Sequence, residues 1–113
     1  MNLQDIVKEL ELTVLTRSEG LDNIQALTAY QSDLLSCVMS GAGEESIWIT
    51  LINNINIVAV AKLLDIPAII ITENAMPEEA TIERANMEGV NLFLTPKGNF
   101  EIAGRLFSLG ITP

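Results

Sequence analysis

The sequence predicts a three-layer α/β/α fold on a mostly parallel sheet, and three observations carry that reading. Short aliphatic runs at Ile47–Thr50, Pro67–Thr72 and Asn91–Thr95 alternate with stretches of helical spacing. The middle run, Pro-Ala-Ile-Ile-Ile-Thr, has no polar face, as a strand buried on both sides requires. Each run ends in a threonine: Thr50, Thr72 and Thr95, spaced 22 and 23 residues apart. A strand, a short polar loop and a helix recurring at that period form the βαβα pattern of a parallel sheet with right-handed crossovers.

Leu3, Ile6, Val7 and Leu10 share one face of a first helix. Leu12–Thr16 follows as a strand, and the polar stretch Arg17–Asn23 with Gly20 as a loop. Ile24–Tyr30 has no clean period and is read as a short strand. Ser32 is placed to cap a short helix over Leu34–Met39, and Asp33 suits the positive end of its dipole. That helix stops at Gly41-Ala42-Gly43. After the Ile47–Thr50 strand, Asn53–Asp65 reads as a helix with Ile57, Val58, Val60, Ala61 and Leu64 on its apolar side. Pro67–Thr72 is the buried strand. Pro77 opens the next helix, Glu78 and Glu79 favour that end, and Gly89 ends it after Glu88. Pro96, Lys97 and Gly98 turn the chain after the Asn91–Thr95 strand. Asn99 caps a last helix through Leu109, closed by Gly110.

The 113 residues fit one domain, 1–113. Apolar residues make up 49% and aromatics only 4%, so the core must be aliphatic. Fifteen acids against six bases give a formal charge of −9, and the six bases are scattered. Nucleic acid needs clustered Lys and Arg, so it is excluded as a partner. The single cysteine, Cys37, permits no internal disulfide and reads as a buried structural thiol beside Val38 and Met39. Asp5, Glu9 and Glu11 interrupt any signal-like apolar run, and the longest apolar stretch, Ile57–Ala61, cannot span a bilayer. The expected location is therefore cytoplasmic, away from membranes. With no histidine, Ser-His-Asp and Cys-His catalysis and His-ligated metal are excluded within the chain. No cofactor or metal site is expected.

Ligands of open parallel sheets sit beyond the carboxyl ends of the strands. That edge carries Thr50 with Asn53, Asn54 and Asn56, then Thr72 with Glu73 and Asn74, then Thr95 with Lys97. Thr50, Asn53, Asn56, Thr72, Glu73 and Thr95 are therefore the candidate ligand-binding residues. The competing reading is structural, because Thr suits strands and Asn suits helix caps. No phosphate loop is present, since Gly41-Ala42-Gly43 runs into Glu44 and Glu45. Glu73 is the one carboxylate at that edge to consider as a functional acid, and no catalytic set is assigned. Trp48 is either core or a subunit contact, and a small apolar domain of this kind is expected to pair with a second copy.

Several segments carry a family resemblance in the same order along nearly the whole chain: Tyr30–Met39, Ile47–Leu51, Asn56–Ala61, Ile69–Glu73 and Phe100–Leu106. Together they resemble the DRTGG domain family. The family's Asp-Arg-Thr-Gly-Gly motif would fall in Leu21–Tyr30, just before Ser32-Asp33-Leu34-Leu35. Asp22 stands where the Asp would, the Arg is missing, and Thr28-Ala29 takes the place of the Gly pair. The resemblance implies a three-layer fold similar to the N-terminal domain of HPr kinase/phosphorylase. It implies a regulatory or associating role without chemistry, in modules that tend to dimerise. The reading reached is a non-catalytic regulatory or interaction module, a stand-alone homodimer. The alternative is a small-molecule binder, of a nucleotide for example, at the carboxyl edge of the sheet.

Overall fold

The computed structural model describes residues 1–113. Its centre is the set of aliphatic runs, now β3 (Ser46–Thr50), β4 (Ala68–Ile71) and β5 (Asn91–Leu94), hydrogen-bonded in parallel and buried at every residue. β2 (Thr28–Gln31) adds a parallel edge beside β3, and β1 (Thr13–Val14) adds an antiparallel edge beside β5. The order across the sheet is β1-β5-β4-β3-β2.

Chain direction explains the layers. From β2 to β5 each strand lies beside its predecessor, so right-handed crossovers place α2 (Leu35–Gly41), α3 (Asn56–Leu64) and α4 (Glu79–Glu88) on one face. Val38, Ile57, Val58, Ala61 and Ala85 pack there on Trp48, Ile69, Ile71, Leu92 and Leu94. The flanking helices α1 (Leu3–Glu9) and α5 (Asn99–Ser108) cover the other face, where Leu3, Ile6, Ile102 and Leu106 meet Ile47, Ile49, Ile70 and Phe93. The strict alternation of strand residues between the two clusters follows from the period of two.

Sequence boundaries shift in ways with local causes. The Asn53–Asp65 helix begins only at Asn56, because Asn54 Oδ1 accepts from the Asn56 N–H and holds a turn ahead of it. Asp65 closes it in the left-handed conformation at φ 55°. The expected Leu12–Thr16 strand shrinks to two residues paired with β5, and Ile24–Tyr30 contributes only its end to β2. Asn2 Oδ1 caps α1 through the Asp5 N–H.

Cys37 is exposed, not buried. Leu35, Val38 and Ala42 turn to the sheet, which puts Cys37 on the opposite side of the short helix. Trp48 is core: it is fully buried and its Nε1 donates to the Ser32 carbonyl at 3.0 Å. Tyr30 packs so tightly on the last turn of α2 that a Cβ at Gly41 would overlap its ring.

At the far edge, Arg17 pairs with Glu83 of α4 at 3.1 Å, and its N–H donates to Asn86 Oδ1 at 2.7 Å. The Arg17 hydrogen bond and charge hold the Glu83 carboxyl below its ordinary value. A carboxyl depressed in the folded state stabilises above its unfolded value and loses that contribution as the pH falls through the folded one. Both side chains are well exposed, so solvent and salt screen the pair strongly.

Two outcomes are expected. Trp48→Ala should lower stability by about 3–5 kcal/mol in urea unfolding, with the m-value unchanged. In a double-mutant cycle of Arg17→Met and Glu83→Gln, a small coupling at neutral pH and low salt should vanish on acidification below the glutamate range. It should also vanish in about 1 M salt, where the screening length is roughly 3 Å.

Candidate functional site

Burial of β3, β4 and β5 on both faces drives polar side chains to the strand ends. Thr50 closes β3, and Thr72 and Thr95 stand one residue beyond β4 and β5; all three are buried. The ladder continues through them, with the Thr72 N–H on the Thr50 carbonyl and the Thr95 N–H on that of Ile71, at 2.9 and 3.0 Å. A buried hydroxyl needs a partner, and each finds one. Thr50 Oγ1 donates to Asp33 Oδ1 at 2.8 Å, and Thr72 Oγ1 donates to Asn99 Oδ1 at 2.5 Å. Thr95 Oγ1 accepts from the Lys97 N–H at 3.2 Å.

Asp33 joins these pairs. Its Oδ1 also accepts from the Leu51 N–H at 2.9 Å, and its Oδ2 accepts from Asn99 Nδ2 at 3.1 Å. The carboxylate thus spans the end of the sheet, tying the β2–α2 loop to the end of β3 and to the first turn of α5. Neither Asp33 nor Asn99 stood among the sequence candidates, where both served only helix starts. Their positions just past strand ends were the available signal. In the structure Ser32 Oγ accepts from the Leu34 N–H, leaving Asp33 free for the sheet end. Gly98 is the N-cap of α5, and Asn99 is its first residue with its amide engaged across the edge.

The remaining candidates spread outward. Glu73 and Asn74 are exposed, and both sit in the left-handed region at φ 58° and 53°. The Glu73 N–H on Lys97 and the Asn74 N–H on Thr95 hold them there, each at 2.9 Å. The Glu73 carboxylate lies over Gly98, where an added Cβ would stand 2.7 Å from Oε1. Asn53 donates to the Met76 carbonyl at 3.3 Å. Asn56 faces away from this edge, into a groove between α3 and α4 shared with Lys62 and Arg84. The edge therefore brings together Thr50, Thr72, Glu73 and Thr95 and leaves Asn56 apart.

None of the surface grooves is lined by Asp33, Thr50, Thr72 or Asn99. A neighbouring hollow of about 320 Å³ lies between the starts of α3 and α4, lined by Asn53, Asn54, Ile55, Glu78, Ala80 and Thr81. Chemically, the edge is a closed hydrogen-bonded seal with an exposed carboxylate, Glu73, at its rim.

No family model matches the chain, and no curated protein matches it either. Among solved structures, the chain is similar to the CBS and DRTGG domains of the regulatory region of Clostridium perfringens pyrophosphatase, complexed with its activator diadenosine tetraphosphate. The TM-score is 0.76 at 18% identity, over 97% of this chain. The fold is DRTGG-like. The match covers 47% of that chain, so this protein spans about half its length. At that identity the likeness speaks for the DRTGG-like architecture alone, and it agrees with the three-layer fold that the sequence implies.

Removing the bridging carboxylate tests the seal. Asp33→Ala should cost about 1–3 kcal/mol, because it leaves Thr50, Leu51 and Asn99 short of an acceptor. Asp33→Asn should cost less, since a flipped Asn99 amide can accept at position 33 and donate to Thr72 Oγ1, leaving only the Thr72 hydroxyl proton without its acceptor. Equal losses for both variants in denaturant unfolding would mean that the charge, and not the bonding pattern, matters.

Proposed function

We propose that this chain is a regulatory and interaction module without catalysis of its own, a single DRTGG-type domain over residues 1–113 working as a cytoplasmic homodimer. One observation carries the reading. At the sheet edge where α/β enzymes open a cleft, Asp33, Thr50, Thr72 and Asn99 satisfy one another and leave no cavity. An enzyme needs a nucleophile or base free to meet substrate; here Asp33, Thr50, Thr72 and Asn99 are held in mutual bonds, and only the Glu73 carboxylate at the rim stands free. The likeness to a regulatory region points the same way. The acidic balance of −9 argues for a partner other than nucleic acid. No helix is long and apolar enough to cross a membrane, in keeping with a role away from the bilayer.

A second reading, a small ligand such as a nucleotide at this edge, has its own support. Two consecutive non-glycine residues in the left-handed region, Glu73 and Asn74, sit at its rim, and such strain gathers at ligand clamps and switches. The similar pyrophosphatase region binds diadenosine tetraphosphate.

A thermal-shift series with AMP, ATP and diadenosine tetraphosphate decides between them. A ligand at about 100 times its dissociation constant adds roughly 2.7 kcal/mol, a rise of about 10 °C or more for a domain of this size. A rise that Thr72→Val diminishes places the ligand at the edge. No rise with any compound removes the ligand reading and leaves the interaction module. Turnover of a nucleotide or acyl phosphate that Glu73→Gln abolishes would overturn the non-catalytic reading itself.

A further inference from the structure

Helix α5 buries Ile102 and Leu106 against the sheet, yet it also carries a second apolar stripe. Phe100 is 94% exposed and Phe107 63% exposed. Seven residues apart, they lie on one face, about 10 Å from each other along the axis. Between them are Ala103, half-buried, and Gly104, where an added Cβ would meet nothing within 4 Å. An aromatic side chain presents roughly 150–250 Å², so the two rings together leave about 300 Å² of apolar surface in water. A patch of that size is comparable to the largest that a typical monomer exposes, and such patches are often functional.

We infer that this stripe is the homodimer contact, with α5 of each copy crossing its partner's antiparallel at Ala103 and Gly104. The inference rests on the homodimer reading above and gives that reading its surface. Three observations select a second copy as the occupant. The stripe is symmetric about its midpoint: Phe100 and Phe107 stand equally far from the Ala103-Gly104 step. An antiparallel copy therefore sets Phe100 against the partner helix at Phe107, the isologous arrangement of a two-fold dimer. Small residues at the crossing allow the axes to approach to about 8 Å.

Charge is the second observation. Lys97 and Arg105 both reach Glu101, at 3.5 and 3.4 Å. They are the only charged residues from 97 to 113, leaving that stretch at +1 while residues 1–96 carry −10. Two chains of −9 repel, and α5 itself carries no net charge (Glu101 with Arg105), with Glu9 of α1 the one further acid in the groove beside it, so contact through this helix adds little repulsion. The third observation is area. Two copies bring together about 600 Å² from the phenylalanines alone, over a third of a standard interface of about 1,600 Å². Grooves flanking the stripe, lined by Leu10 and Leu109 on one side and Tyr30 and Ile111 on the other, supply further contact.

Light scattering and sedimentation across the micromolar range test this on the full chain. The wild-type chain should dimerise, and Phe100→Glu with Phe107→Glu should raise the dissociation constant at least about 100-fold, as loss of paired aromatic anchors does. Their exposure predicts an unchanged circular dichroism spectrum. A variant less prone to confusion with misfolding is Gly104→Cys in a Cys37→Ser background. Mild oxidation should convert it to a covalent dimer, since residue 104 lies at the two-fold. A wild-type dimer that survives both glutamates and does not crosslink through position 104 overturns this interface but leaves the homodimer reading intact. A wild-type chain that stays monomeric removes both, and leaves the stripe to a different protein partner.

Discussion

Burial of three consecutive parallel strands on both faces constrains everything else in this molecule. β3, β4 and β5 offer no side to water, so every residue of each has to pack against a helix. That requirement fixes two helical layers. It explains an aliphatic composition, because β-branched residues fill a pleated surface between layers without polar atoms to satisfy. It also confines polarity to the strand ends. The threonines at 50, 72 and 95 are the first residues at which the chain can turn polar, and they remain buried. Their hydroxyls therefore demand partners, and the loops beyond them are shaped to provide those partners.

Asp33 answers that demand most fully. One carboxylate accepts from a strand hydroxyl, a loop amide and a helix-borne asparagine, and so joins elements that cover opposite faces of the sheet. Breaking one link leaves others unsatisfied, which is why such a network is costly to disturb in part. The same closure argues against reading the threonines as an open binding site. A residue type suited to ligands and a residue type suited to finishing a buried strand are the same residue here, and the hydrogen-bond partners decide which role it fills.

Elements governed by local rules were legible in the sequence. The three threonine-ended strands, Gly89 ending α4 and the apolar side of α3 follow from period, propensity and glycine. What escaped depends on contacts between distant residues. Asp33 and Asn99 are 66 residues apart and meet only once α5 has folded over the sheet. Cys37 looked buried because its neighbours are apolar, but a seven-residue helix on an edge strand has only one inward line. Asn56 is close to Thr50 in sequence, but the turn held by Asn54 swings it to the α3–α4 groove. The start of α3 moved three residues and that of α2 one, where Asn54 and Ser32 side chains accept from N–H groups at or just ahead of the helix start.

Helix α5 joins the hydrogen-bonded sheet edge to the exposed apolar stripe. Its first residue, Asn99, donates to Asp33 and accepts from Thr72 at the sheet edge, and its second, Phe100, is the most exposed apolar side chain of the molecule. Between them lies a single peptide bond. If the stripe pairs two copies, any ligand that draws Asn99 from its partners must act on the helix that presents the contact. Binding at the edge and pairing at the stripe would then share one coupling free energy. By linkage that coupling is reciprocal, so dimerisation would shift ligand affinity by the same factor that the ligand shifts dimerisation. In the structure the seal is closed, with Asn99 engaged on both Asp33 and Thr72.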